Sequence, residues 1–290
     1  MTHVGVTASG SGATYVFAVC QDGVSGDASV SHLPGMPDGG TVRVLPAGAL
    51  SAVVQTVRAA DYTDDVWQER LADRPALEAY ARAHHAVVSA VAAGGATVPL
   101  PLATLYHDDG RVRRTLTEEA GRFHTALRRV AQHSEWGVKV YAVDEPDPAP
   151  SEPDPAPSEP DPAPSEPDPA PSEPATAVRR APTAPGAGLA YLNRKRGIQE
   201  RRERRREQAL HIAESVAAEL QQLATASRKL RSALPDDQDP RQVQVLNATY
   251  LVAEHRAAEF AALAGVLGER TGTRIELSGP WVPYSFVSEV

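Results

Sequence analysis

The chain has 290 residues, 29 basic and 37 acidic, for a formal net charge of −8; that length accommodates two domains of ordinary size. Cys20 is the only cysteine, which excludes an intramolecular disulfide and a cysteine-rich zinc site and fits a reducing cytoplasm. The negative charge lies in one place. Residues 145–172 are four copies of Glu-Pro-Asp-Pro-Ala-Pro-Ser with 8 acids and no base, so the remainder balances at 29 of each sign and has no global basic excess to hold DNA or RNA.

Residues 1–13 read as a mobile leader. Met1-Thr2-His3-Val4-Gly5 lacks the positive start and apolar core of a signal peptide, and Gly10-Ser11-Gly12 lacks the Lys-Ser/Thr pair of a phosphate loop. Residues 14–133 then read as an α+β domain. A strand over 14–20 leads through Leu33-Pro34-Gly35 to paired strands over 41–45 and 50–57, with Ala47-Gly48 in the turn. In the helix expected over 74–93, Leu77, Tyr80, Ala81, His84, Val87, Val88 and Val91 recur at intervals of three and four, which gives one buried face. A strand over 97–102 and a helix over 108–132 complete this half. Residues 86–105 carry no charge, yet Gly94-Gly95, Pro99 and Pro101 break any helix there, so the stretch reads as a helix end, a turn and a buried strand rather than a membrane span.

Residues 134–290 read as a second domain, with strands over 136–143, 243–252 and 274–287 and helices over 188–231 and 254–270. In the first strand Trp136, Val138 and Val140 alternate with Gly137, Lys139 and Tyr141. In the last, Pro280 and Pro283 flank Trp281, which only an edge strand or a bulge accepts. Strands joined by helices in this order build a small sheet with helices on one face. An insertion over 144–187 carries the acidic repeat between the first strand and the long helix. Every second or third residue of the repeat is proline and none is a large hydrophobe, so it buries nothing and is expected as a disordered, polyproline-II-like loop. Lengthening such a connection from about 6 to about 45 residues costs only around 1.8 kcal/mol of closure entropy.

No set of residues has the spacing of a catalytic or metal site. Nine histidines are scattered, none in a His-x-x-x-His pattern with a nearby Glu, and His84 on the apolar helix face reads as a hydrogen-bonded core residue. Ser9-Gly10 and Ser278-Gly279 are not a hydrolase elbow, and Asp64-Asp65, Asp108-Asp109 and Asp236-Asp237 fall at turns or helix starts. An enzyme, a cofactor and a bound metal are therefore not expected. One charge pattern stands out: eight of the thirteen residues 194–206 are basic, against Glu200 and Glu203. Arg201, Arg202, Arg204, Arg205 and Arg206 share one broad side of the helix, and the same side further along carries Ile212, Ala213, Val216, Leu220 and Leu223. The stripe turns from arginine to apolar, so the first half of the helix is expected to overhang the domain. It is then a solvated face, or a docking surface for an acidic partner or for the chain's own acidic repeat. A nucleic-acid-binding module using residues 194–206 is the alternative from a different functional class.

Trp136-Gly137-Val138-Lys139-Val140-Tyr141, Val245-Leu246-Asn247-Ala248-Thr249-Tyr250-Leu251-Val252 and Leu277-Ser278-Gly279-Pro280-Trp281-Val282-Pro283-Tyr284-Ser285-Phe286-Val287 closely resemble the gas vesicle accessory protein family lettered F and L (GvpF/GvpL). Leu45-Pro46-Ala47-Gly48-Ala49-Leu50-Ser51-Ala52-Val53-Val54, the segment Ala81-Arg82-Ala83-His84-His85-Ala86-Val87-Val88 and Leu189-Ala190-Tyr191-Leu192-Asn193-Arg194-Lys195-Arg196 extend the resemblance over nearly the whole chain outside the insertion. One stretch departs from it: where the family pattern has an Arg and a Phe-Gly pair, this chain has Pro101, Leu102 and Ala103. The resemblance implies two mixed α+β domains, the C-terminal one ferredoxin-like, and a non-enzymatic accessory or minor structural role in building the vesicle wall. It also implies contact with the small, aggregation-prone major shell protein and other gas vesicle proteins, in the cytoplasm and on the vesicle. The balanced charge outside the repeat and the broken apolar stretch over 86–105 leave nucleic acid and membrane out of the expected partners. Arg201, Arg202, Arg205, Trp281 and Tyr284 are the residues expected to meet that partner.

Overall fold

The computed structural model describes residues 12–23, 27–143, 187–231 and 242–287. The expected leader, apart from Gly12 and Ala13, and the acidic repeat lie outside the described residues. Ala13 is buried and opens the first strand rather than ending a leader.

The first sheet is built around β1 (Ala13–Gln21), whose residues from Ala13 to Cys20 are all buried. A short helix, α1 (Asp27–Val30), precedes the hairpin of β2 (Arg43–Ala47) and β3 (Leu50–Val57). After a 3-10 turn over Ala59–Tyr62 and a helix α2 (Asp64–Ala72), neither of which the sequence pattern signals, comes α3 (Arg74–Ala92), capped by the Asp73 side chain with Pro75 in its first turn. β4 (Thr97–Pro99) and β5 (Leu105–Tyr106) pair with β1, followed by α4 (Asp109–Glu118) and α5 (Ala120–Val130). Every pairing in this sheet is antiparallel, in the order β2-β3-β1-β4 with β5 beside β4 along β1. Tyr15 and Phe17 face Val87, Val88 and Val91 of α3, while Val16 and Val19 face Val112 and Leu116 of α4 and Phe123 and Leu127 of α5. Helices thus cover both faces, which is why β1 has no polar alternation.

Three expectations for this half change. The helix expected over 108–132 is two helices meeting at Glu119, a break next to Gly121 that lets α4 lie over β2 while α5 lies over β4. The strand over 97–102 stops at Pro99, because Pro101 has no N–H to donate; the backbone turns through Ala103 at φ 61° and resumes as β5. Ala81, expected on the buried face of α3, is exposed, and Ala83 packs inward instead.

The second sheet contains β6 (His133–Val143), then α6 (Ala187–Gln221), β7 (Ala226–Lys229), β8 (Gln242–Ala253), α7 (Ala257–Thr271) and β9 (Arg274–Trp281). The strand order is β7-β8-β6-β9 and all neighbours run antiparallel. Trp136, Val138, Val140, Leu246, Ala248, Tyr250 and Val252 face Ala213, Val216 and Leu220 of α6 and Phe260, Ala264 and Leu267 of α7. Two boundaries move here. The helix expected over 188–231 ends at Gln221 and a strand follows, since Thr225 N–H donates to Leu251 O (2.8 Å) and Leu230 N–H to Asn247 O (2.8 Å), so pairing overrides the helix propensity of an Ala-rich segment. The strand expected over 274–287 ends at Trp281, and residues 282–287 cross to the first sheet.

Candidate partner-binding surfaces

Where the two sheets meet, β9 bulges against β6. Gly279 sits at φ 127° with the Glu135 carbonyl oxygen 2.8 Å from where a Cβ would stand, so only glycine fits. The bulge on this edge strand accommodates Pro280 and turns Trp281 outward, 49% exposed, with its ring 5.5 Å from that of His85 on α3. Val282 and Tyr284 then pack on the α3 side of the first sheet, Phe286 is buried, and Val287 reaches the α4–α5 side. The carboxylate of Glu135, only 7% exposed, accepts hydrogen bonds from Ser285 N–H (2.8 Å) and Ser285 Oγ (2.5 Å), which fixes this strap onto β6. A groove of about 780 Å³ opens beside it, lined by His85, Ser89, Gly94-Gly95, residues 130–134 and Trp281.

The first core contains a buried polar line. Tyr15 Oη donates to His84 Nδ1 (2.8 Å), and His84 Nε2–H donates to Leu100 O (3.1 Å), which fixes the neutral tautomer because a carbonyl only accepts. Burial pushes the His84 pKa down to about 4 and raises those of the Tyr15 and Tyr284 hydroxyls. His84 is thus the hydrogen-bonded core residue that its place on the helix predicts. The Ala103 N–H donates to Tyr15 Oη (3.1 Å), so the segment that departs from the family pattern still closes on this line.

The second surface is the first half of α6. One continuous helix of 35 residues, about 52 Å long, runs through Gly197, whereas α7 has 15 residues and is about 22 Å long. Among its described side chains the buried ones, Ala213, Val216 and Leu220, all lie in its last third, while Lys195, Arg196, Arg201, Arg204 and Arg206 are exposed and Arg205 is half-buried. The apolar Leu192 and Leu210 are 58% and 47% exposed, so apolar and basic positions alike stand clear of the sheet. Arg202 is helical, but its side chain lies outside the described residues.

The five sequence-predicted site residues therefore divide into two groups. His133 Nε2 and Thr225 Oγ1 are 2.9 Å apart and Glu135 pairs with Trp281, which puts the C-terminal end of α6 and Trp281 at the same end of the sheet. Arg201 lies 20 residues before Gln221, about 30 Å up the helix from that end. Tyr284 belongs to the junction but is half-buried against the first core. Sequence reasoning missed His85, Ser285 and Glu135. The adjacent His84-His85 pair on an apolar helix was the one available signal, since two neighbours cannot both face inward. Among the described residues, no cluster of His, Cys, Asp and Glu is arranged to hold a metal ion, and no helix is long and apolar enough to cross a membrane.

A family model described as "Gas vesicle synthesis protein GvpL/GvpF" matches residues 13–288. The chain is 36% identical over 279 residues to Gas vesicle protein L of Streptomyces sp. (strain CB03234), an alignment covering 94% of this chain and 91% of that protein. Its fold is similar to the crystal structure of gas vesicle protein GvpF from Anabaena sp. PCC7120, at a TM-score of 0.60 and 13% identity over 97% of this chain and 98% of that one. GvpF from Microcystis aeruginosa is also similar, at a TM-score of 0.54 and 14% identity over 95% and 99% of the two chains.

Proposed function

The chain belongs to the gas vesicle synthesis protein family GvpL/GvpF, and from that premise we propose that it is an accessory protein that binds the major shell protein during wall assembly and limits its aggregation. A shell subunit with a long apolar face must be kept from pairing wrongly before it is built in. The observation that carries the reading is Trp281, a large aromatic left 49% exposed at the mouth of an open groove by a bulge that only Gly279 permits. Exposed aromatics beside a groove are the residues that anchor protein partners. The arginine half of α6 is the second contact surface, suited to acidic groups, and the protein works in the cytoplasm at the vesicle. We also take residues 14–133 and 134–290 as two domains, the second ferredoxin-like. The strand-helix-strand-strand-helix-strand succession with antiparallel order β7-β8-β6-β9 supports that assignment.

Co-purification with the major shell protein is the test. Trp281→Ala is expected to weaken capture about tenfold or more while leaving the unfolding transition in place. Unchanged capture would remove the junction from the interface. Retention of random duplex DNA at physiological salt, lost on reversing Arg201, Arg202 and Arg205 to Glu, would favour the nucleic-acid module instead.

A further inference from the structure

The arginine half of α6 has a candidate occupant on the same chain. Residues 194–206 hold eight bases and two acids, a net charge of +6, and Lys195, Arg196, Arg201, Arg204 and Arg206 are exposed on a part of the helix that has already left its sheet. Outside the acidic repeat the charges balance only with this stretch included, and the other residues there carry a net charge of −6, so the stretch is a local basic excess. The repeat at 145–172 holds eight acids and no base, and ends 14 residues before the first residue of α6. Fourteen residues of chain can span up to about 50 Å, and the arginines lie about 10 to 29 Å from the start of the helix, so the tether permits the repeat to fold back along them. The thirteen residues 194–206 occupy about 18 Å of helix, and one seven-residue repeat covers up to about 23 Å of extended chain. Any one of the four copies can thus lie over the cluster, which multiplies the registers in which contact is made. We infer that the acidic repeat 145–172 docks on the arginine half of α6 within one chain and competes there with any other acidic partner. The inference stands without the shell-protein reading, because both charged segments belong to this protein.

Exposed ion pairs are individually weak, so the tether carries the effect. Attachment within one chain over so short a distance gives an effective concentration on the order of 1 mM, so an affinity of only about 0.1 mM for the free repeat would still leave the helix mostly occupied and weaken a free competitor about tenfold. The probe is a labelled peptide of four Glu-Pro-Asp-Pro-Ala-Pro-Ser copies, titrated by fluorescence anisotropy at low salt. It is offered to the full chain and to a full-length variant in which the repeat's Glu and Asp are changed to Gln and Asn, so the domains stay intact. The variant is expected to bind the peptide about tenfold more tightly than the original chain. Binding should fall steeply as salt rises, because screening shortens to about 8 Å at physiological ionic strength. Adding Arg201→Glu, Arg202→Glu and Arg205→Glu to that variant should abolish it, with its circular dichroism unchanged. Equal binding by the original and neutralised chains, no binding by the neutralised chain, or undiminished binding after charge reversal would each overturn the inference.

Discussion

The two sheets bury their central strands in opposite ways. In β1 adjacent residues such as Val16 and Phe17 are both fully buried because α3 covers one face and α4 and α5 the other. In β6 only alternate residues, Trp136, Val138 and Val140, meet α6 and α7, and Lys139 between them is exposed. The first sheet therefore has no free face with which to meet a partner, and the accessible features lie at the junction and on the part of α6 that outruns its sheet.

The sharpest way to break this comparison is truncation on neighbouring positions. Phe17→Ala is expected to cost about 3–5 kcal/mol, and Val16→Asp at least as much by burying a carboxylate on the other face. Lys139→Ala should stay within about 0.5 kcal/mol. Urea unfolding measures all three, and a tolerated charge at Val16 would show that α4 and α5 do not seal that face.

Acid should act on the first core specifically. His84 has its folded pKa lowered from 6.5 to about 4, so the fold favours the neutral ring. Its contribution is intact above pH 6.5 and is lost as pH falls from 6.5 to about 4, by up to about 3 kcal/mol. The described members of the second core include no histidine. Stability of the original protein minus that of His84→Gln should therefore slope downward over this window, and a flat difference would contradict the buried neutral ring.

Smaller effects test the connection between the sheets. Ser285→Ala removes one donor from the buried Glu135 carboxylate and is expected to cost about 1–3 kcal/mol. The Glu135 carboxylate should then hold residues 282–287 less firmly, which amide exchange at Phe286 would report. The smallest change has the opposite sign. Ala103 sits at φ 61°, where glycine is unstrained, so Ala103→Gly should stabilise the protein by about 1 kcal/mol. A loss of stability on that change would mean that the Ala103 methyl packs usefully.

Most strands and helices were legible because their periodicity reports the cover they receive: the apolar run over 15–20 marks a strand, whose lack of alternation fits the helices found on both its faces, and the alternation over 136–141 marks one helix-covered face. What failed was set by tertiary pairing. Nothing local in Ala226-Ser227-Arg228-Lys229 marks a strand; its partner Thr249-Tyr250-Leu251 imposes one. Trp281 and the arginines were visible as residue types, but their separation by about 30 Å of helix was not, because it depends on which end of α6 packs on the sheet. The strap at 282–287 was read as more strand since the sequence does not show that Ser285 meets Glu135, 150 residues away.

The central claim, that this protein shields the shell protein, is tested most directly by light scattering of the major shell protein diluted from denaturant. With the original protein present near a one-to-one ratio, scattering should be suppressed, and Trp281→Ala should restore most of it. Equal scattering with and without the protein would contradict the account.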